Sequence, residues 1–208
     1  RNNLLRIFTY MPIKVCHFTS GHDSFDSRVF EKQCRTLSDK GYEVHLVTPV
    51  GENERRLGVN VVSAGIESYG RFKRMLLVSR LVYKKALSID ADIYHFHDPE
   101  LIPFGLKLKK LGKKVIYDSH EDTPSDILNK HWIPKFMRPI VSKYYQWYEA
   151  SAAKKFDGVV SVTPHVVDRL KSHNTNTYLI TNYPILRDFP LSKQEITEET
   201  DKTICFVG

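Results

Sequence analysis

The feature that most constrains this chain is its alternation of short apolar, β-branched runs with longer amphipathic segments. Ile13–Thr19 (IKVCHFT), Glu43–Thr48 (EVHLVT), Val59–Ser63 (VNVVS), Ile93–His97 (IYHFH), Lys113–Asp118 (KKVIYD), Gly158–Val162 (GVVSV) and Thr177–Ile180 (TYLI) read as strands. Between them, apolar spacing predicts helices over Arg28–Lys40, Arg71–Ser88, Leu101–Leu111 and Met137–Phe156, with a short one from Pro164. Ser27 stands where it could cap the first, and Gly41 where it could end it. Strands that alternate with helices need right-handed crossovers, hence parallel pairing under cover on both faces. The predicted fold is α/β: a doubly wound, mostly parallel sheet with helices on both faces.

Size and composition agree with that fold. The chain has 208 residues, of which 41% are hydrophobic, enough for a sizeable core without cross-links. Cys16 and Cys205 lie in apolar runs and Cys34 on a helical segment, so neither a disulfide framework nor a thiolate zinc site is expected. No run of about 18 apolar residues is present, and the chain is expected to be cytoplasmic. Residues 1–10 read as an N-terminal extension and 11–182 as one Rossmann-like domain. Residues 183–202 are proline-bearing and then acidic, as in a linker. Residues 203–208 (TICFVG) look like the opening strand of a further domain.

In doubly wound sheets, ligands bind beyond the carboxyl ends of the strands, where strand order reverses. The loop after the first strand has one glycine, which removes the main support for a dinucleotide site. It offers His22, Asp26 and Arg28 near a helix N-terminus, where hydroxyl-rich or anionic ligands can be held; Asp26 and Ser27 suit helix capping as well. The fourth run ends in His95-Phe96-His97-Asp98-Pro99-Glu100, and period two puts both histidines on one face of the strand. His95 fits a buried, hydrogen-bonded histidine, while His97, Asp98 and Glu100 fall where the strand opens into a cleft. The fifth ends in Asp118-Ser119-His120-Glu121-Asp122, four ionisable groups that are costly near a core unless they bond a ligand or one another. His120 stands out as a catalytic candidate, with Glu121 beside it; orienting the loop through Asp118 or Glu121 is its other reading. Tyr144, Tyr145, Trp147 and Tyr148 share a helix and read as packing residues rather than a sugar-stacking platform.

These segments resemble the N-terminal, acceptor-side domain of a GT-B glycosyltransferase of the family 4 type. The likeness rests on MPIKVCHFTSGHDSFDSRVFEKQCRTLSDKGYEVHLVTP, HFHDPEL, KKVIYDSHED, EASAAKKFDGVVSVTP and LITNYP, in that order. The resemblance implies a retaining, metal-independent transferase that moves a hexosyl group to a glycan or lipid-linked acceptor in cell-envelope or extracellular polysaccharide synthesis. No cofactor is implied. The donor would be a nucleotide diphosphate sugar held mainly by a second Rossmann-like domain, so this span alone is expected to be inactive. The same matching sets His120 against the transferred sugar and His97 with Asp98 at the acceptor side. Many relatives carry a Gly-Gly loop after the first strand, whereas this chain has Gly21-His22-Asp23.

Two other classes compete. A metal-dependent hydrolase could use His95, His97 and His120. A basic nucleic-acid-binding module could explain the net charge of +7, but the chain shows no RRM, helix-turn-helix or zinc-finger pattern, and no nucleic-acid partner is expected. The 68–89 segment holds no acid. On it, Phe72, Met75, Leu76, Val82, Tyr83 and Ala86 should face the sheet, and Arg74, Leu77, Arg80, Leu81 and Lys84 the inner leaflet of an anionic plasma membrane.

Overall fold

The computed structural model describes residues 12–66, 70 and 74–185, without the side chains of Arg74 and Met75. The expected extension at 1–10, most of the linker and the strand at 203–208 lie outside the described residues, as does Phe72.

Among the described residues, eight strands form one sheet: β1 (Lys14–Phe18), β2 (Glu43–Thr48), β3 (Glu54–Arg56), β4 (Val59–Ser63), β5 (Ile93–Phe96), β6 (Lys114–Ser119), β7 (Gly158–Ser161) and β8 (Thr177–Leu179). Their order is β3-β4-β2-β1-β5-β6-β7-β8. Every pair is parallel except β3 with β4. The doubly wound α/β fold is therefore present, with one antiparallel edge strand that sequence reasoning missed. Glu54-Arg55-Arg56 is polar throughout and exposed, so it carries no apolar signal and pairs only through its backbone.

The helices follow the expected intervals. α1 opens as π-helix over Ser27–Cys34 and continues as α-helix over Arg35–Asp39. α2 likewise combines Arg74–Val78 with Ser79–Ile89. α3 (Ile102–Lys110) follows a 3₁₀ turn at Pro99–Leu101. Then come α4 (Thr123–Asn129), which was not expected, α5 (Arg138–Ala153) and α6 (Pro164–Lys171). The cap of α1 is Asp26 rather than Ser27: its carboxylate accepts from the Arg28 and Val29 amides at 2.8 Å each.

Period two divides the core between the two faces. On one face, Cys16, Phe18, Tyr94, Phe96, Val115, Tyr117 and Val159 meet buried residues of α2, α3, α5 and α6. Gly105 of α3 makes this approach possible, because a Cβ there would stand 2.6 Å from Phe96 Cε1. On the other face, Val44, Leu46, Val59 and Val61 pack under Val29, Phe30 and Cys34 of α1. Beyond that apolar half, the same face becomes polar at β1, β5 and β6, where His17, His95, His97 and Asp118 are all buried. Strand order reverses between β1 and β5, and these groups lie next to that switch point.

The inner stripe of α2 differs from expectation. Val78, Ser79, Val82 and Ala86 are buried, whereas Leu76 is 77% exposed and Leu81 is half-buried. Its first described turn is π-helical, which rotates residues before Ser79 relative to a regular 100° spacing.

Candidate functional site

The loop after β1 is shaped by Asp98 at the end of β5. Asp98 Oδ2 accepts from the Thr19 hydroxyl at 2.7 Å and the Ser20 amide at 2.6 Å. Thr19 Oγ1 in turn accepts from the Gly21 and His22 amides, at 3.2 and 3.0 Å. Glu100 bonds the Ser20 hydroxyl at 3.0 Å. Asp98 therefore organises the loop as well as bordering the cleft. What it positions is His22, whose Nε2 lies 3.0 Å from His120 Nε2 and whose Nδ1 lies 3.4 Å from Asp26.

The two imidazoles differ in proton affinity. The Asp26 carboxylate raises His22 from its ordinary value against the opposing cost of burial, with Asp98 adding to it. Burial lowers His120, against a partial offset from Asp118. The two shifts favour His22 as the donor and His120 as the acceptor across their 3.0 Å contact. The pair lines a cavity of about 120 Å³ together with Gly21, Asp98, Pro99 and Glu121.

A second network lies beneath. Asp118 is wholly buried. It receives Arg28 Nη2 at 2.9 Å, Arg28 Nε at 3.2 Å and Gln33 Nε2 at 2.7 Å, with His97 Nδ1 at 3.4 Å. Burial alone would raise the Asp118 carboxyl, but His97 and Arg28 outweigh it and hold it well below the usual carboxylate range. Arg28 Nη1 also donates to the Ile180 carbonyl at 3.0 Å, so one guanidinium joins α1, β6 and the end of β8. His97 Nε2 stands 3.0 Å from His17 Nδ1.

Of the expected site residues, the structure brings His22, Asp98, His120 and Glu121 to one cavity, with Asp26 and Glu100 behind them. It withdraws Arg28, which is 6% exposed and spent on Asp118, and His97, which is 1% exposed. Both act beneath the cleft rather than in it. The expected His95/His97/His120 metal set is not what converges among the described residues. The groups whose ligand atoms lie within 4.8 Å of one another are His17/His95/His97 and His97/Asp118/His120. In the first, His97 Nε2 is already engaged with His17, and its ring stacks on His17 and His95. On α2, Leu77, Arg80 and Lys84 are exposed as expected.

Two contributors were missed. His17 reads as core in the run IKVCHF, and only the pairing of His17 with His95 across β1 and β5 reveals the cluster. Glu149 is fully buried on α5, accepting from the Tyr117 hydroxyl at 2.9 Å, the Ser119 hydroxyl at 3.1 Å and Arg169 at 2.7 Å. It fixes the end of β6, from which His120 projects. A glutamate beside Ala150, Ala152 and Ala153 on the inner helix face was the available signal.

The buried histidines carry a pH signature. Burial lowers His17, and lowers His95 to about 3. Unfolding then takes up protons below the ordinary histidine value of about 6.5, so their stabilisation is complete above that pH and is lost as pH falls toward 3. At pH 5 the buried neutral His95 is expected to cost about 2 kcal/mol relative to neutrality, and His17 adds a cost of the same sign. His22, raised instead, works in the opposite sense and offsets part of this. Thermal unfolding at pH 7.5 and 5.0 should show a clear drop in Tm, and His95→Asn should reduce it. A Tm that does not change between these values would contradict neutral, buried rings.

A doubly wound sheet whose switch point opens on a small polar cavity is an arrangement that many ligand-binding α/β domains share. The sequence profile of Glycosyltransferase Family 4 matches residues 27–182, and the chain belongs to that family. A sucrose-phosphate synthase from Thermosynechococcus elongatus superposes with a TM-score of 0.62 at 13% identity, over 85% of this chain and 49% of its own. A second structure of that synthase gives a TM-score of 0.52 at 12% identity, over 83% of this chain and 90% of that one. At such identities the likeness shows the fold alone, and this chain spans about half the length of the first synthase chain. No curated protein matches the sequence significantly. No helix among the described residues is long and apolar enough to cross a membrane.

Proposed function

We propose that this domain is the acceptor-binding half of a retaining glycosyltransferase that moves a hexosyl group from a nucleotide diphosphate sugar to a glycan or lipid-linked glycan of the cell envelope or an extracellular polysaccharide. The observation that carries this reading is the cavity at the switch point, where the His22 and His120 rings meet at 3.0 Å among acidic groups. Asp98 and Glu121 line it, and Glu100 stands behind. Carboxylates accept hydrogen bonds from sugar hydroxyls and repel a diphosphate. That chemistry suits an acceptor on this side, with the anionic donor held by groups elsewhere. His120, whose burial favours the neutral ring beside the more basic His22, can stabilise charge that develops as the sugar leaves its phosphate.

The test is transfer by the complete polypeptide that contains this chain, offered a panel of nucleotide sugars with a lipid-glycan extract and an excess of EDTA. Nucleoside diphosphate release that requires the extract and survives chelation is the expected result. Hydrolysis without acceptor that stops on chelation would favour the metal-hydrolase reading instead.

A further inference from the structure

We propose that the outer face of α5, with the loop that precedes it, is a docking surface for the headgroup region of an anionic lipid bilayer. The helix is amphipathic in an inverted sense. Its inner face buries Ala150, Ala152 and Ala153 around Glu149. Its outer face carries Ile140, Tyr144 and Trp147, which are 67%, 65% and 63% exposed. These three recur at intervals of four and three residues, so they form one stripe directly opposite Glu149. Trp132 and Phe136, at 57% and 76% exposure, extend the apolar surface into the preceding loop. Tyr145 and Tyr148 turn inward, Tyr148 against the core, but Tyr144 and Trp147 stand exposed, so the packing role expected for these two does not hold.

Charge selects the occupant. From Ile127 to Tyr148 there is no aspartate or glutamate, while Lys130, Lys135, Arg138 and Lys143 are present. Lys135 and Lys143 are exposed. Protein–protein interfaces favour aromatic residues but are depleted in lysine, whereas tryptophan and tyrosine combined with lysine characterise a lipid–water interface. The loop is also held in place. Arg138 Nε donates to the Ile133 carbonyl at 2.9 Å, and the Ser142 hydroxyl to the Pro124 carbonyl at 2.7 Å. α4, which begins just after Glu121, connects this surface to the cavity. The membrane contact expected on α2 is thus better supplied by α5. The proposal deepens the lipid-linked reading of the acceptor, yet vesicle binding requires neither sugar nor turnover, so its failure would leave the transfer assay standing.

The experiment is sedimentation of the chain with phosphatidylcholine vesicles prepared with and without phosphatidylglycerol. The wild type should pellet only with phosphatidylglycerol, less so as salt rises, with tryptophan emission shifted to the blue. Each cation near the surface should strengthen partitioning by about fivefold. Ile140→Ser with Trp147→Ser should weaken it at least about tenfold, while Leu76→Ser with Leu77→Ser on α2 should stay within about twofold. Circular dichroism and the melting midpoint confirm that the variants fold. Wild-type protein left in the supernatant, equal binding to neutral vesicles, or an effect carried by the α2 pair would overturn the proposal. So would a dimer, broken by the α5 changes, that ignores lipid.

Discussion

Replacing His120 by alanine in the complete enzyme should lower kcat by about 100-fold or more while the fold persists. The side chain stands at the cavity wall, its Nε2 bonded to His22 and its backbone fixed by the neighbouring Ser119, which Glu149 holds. Removing the ring deletes the partner of His22 Nε2, without opening the aromatic core on the opposite face of the sheet. Because the lost interaction belongs to the transition state, KM for either substrate should change little. His22→Gln, which can still donate to His120, should retain more activity than His22→Ala. A kcat near wild type for His120→Ala would reassign His120 to the loop-orienting role.

The second large effect concerns stability. Asp118→Ala should destabilise the domain by about 3–5 kcal/mol, because it leaves the buried Arg28 guanidinium without its carboxylate. Gln33 and His97 lose the same partner. Against a typical total of about 5–15 kcal/mol, that loss is large enough to shift a urea midpoint substantially. The sign of the pH dependence follows from the direction of the shift. A carboxyl held below its ordinary value contributes stability at every pH above the unfolded value of about 3.9, and loses it progressively on acidification below that value. Asp118→Asn keeps the shape but not the charge and should fall between wild type and alanine. A loss below about 1 kcal/mol for Asp118→Ala would mean that Arg28 finds full compensation, for instance from the Ile180 carbonyl it already bonds.

Much of this architecture could be read along the chain, because its signals are local. Strands such as EVHLVT and VNVVS announce themselves by β-branched density, and His120 by the crowding of charges around it. What escaped was set by pairing at a distance. His17 looked like core until its register with His95 placed three imidazoles on one face. Arg28 was expected in the cleft because it sits at a helix N-terminus; it is buried instead because Asp118, 90 residues later, arrives beneath the same turn. Glu149 depends on Arg169 and Tyr117 in the same way. The short edge strand at Glu54–Arg56 has no apolar face, and α4 opens on a Thr-Pro that reads as loop. On α2, one π-helical turn moved Leu76 outward, and Leu81, in the regular helix beyond it, is half-buried.

The claim at the centre of this account is that the cavity formed by Gly21, His22, Asp98, His120 and Glu121 receives the acceptor rather than the nucleotide sugar. The most direct measurement is the pair of KM values, one for each substrate, in Glu121→Ala. Glu121 is exposed and lines the cavity. Loss of a charged hydrogen-bond acceptor for a sugar hydroxyl should raise the acceptor KM by about tenfold and leave the nucleotide-sugar KM unchanged. A rise confined to the nucleotide sugar would contradict the account and make this the donor half.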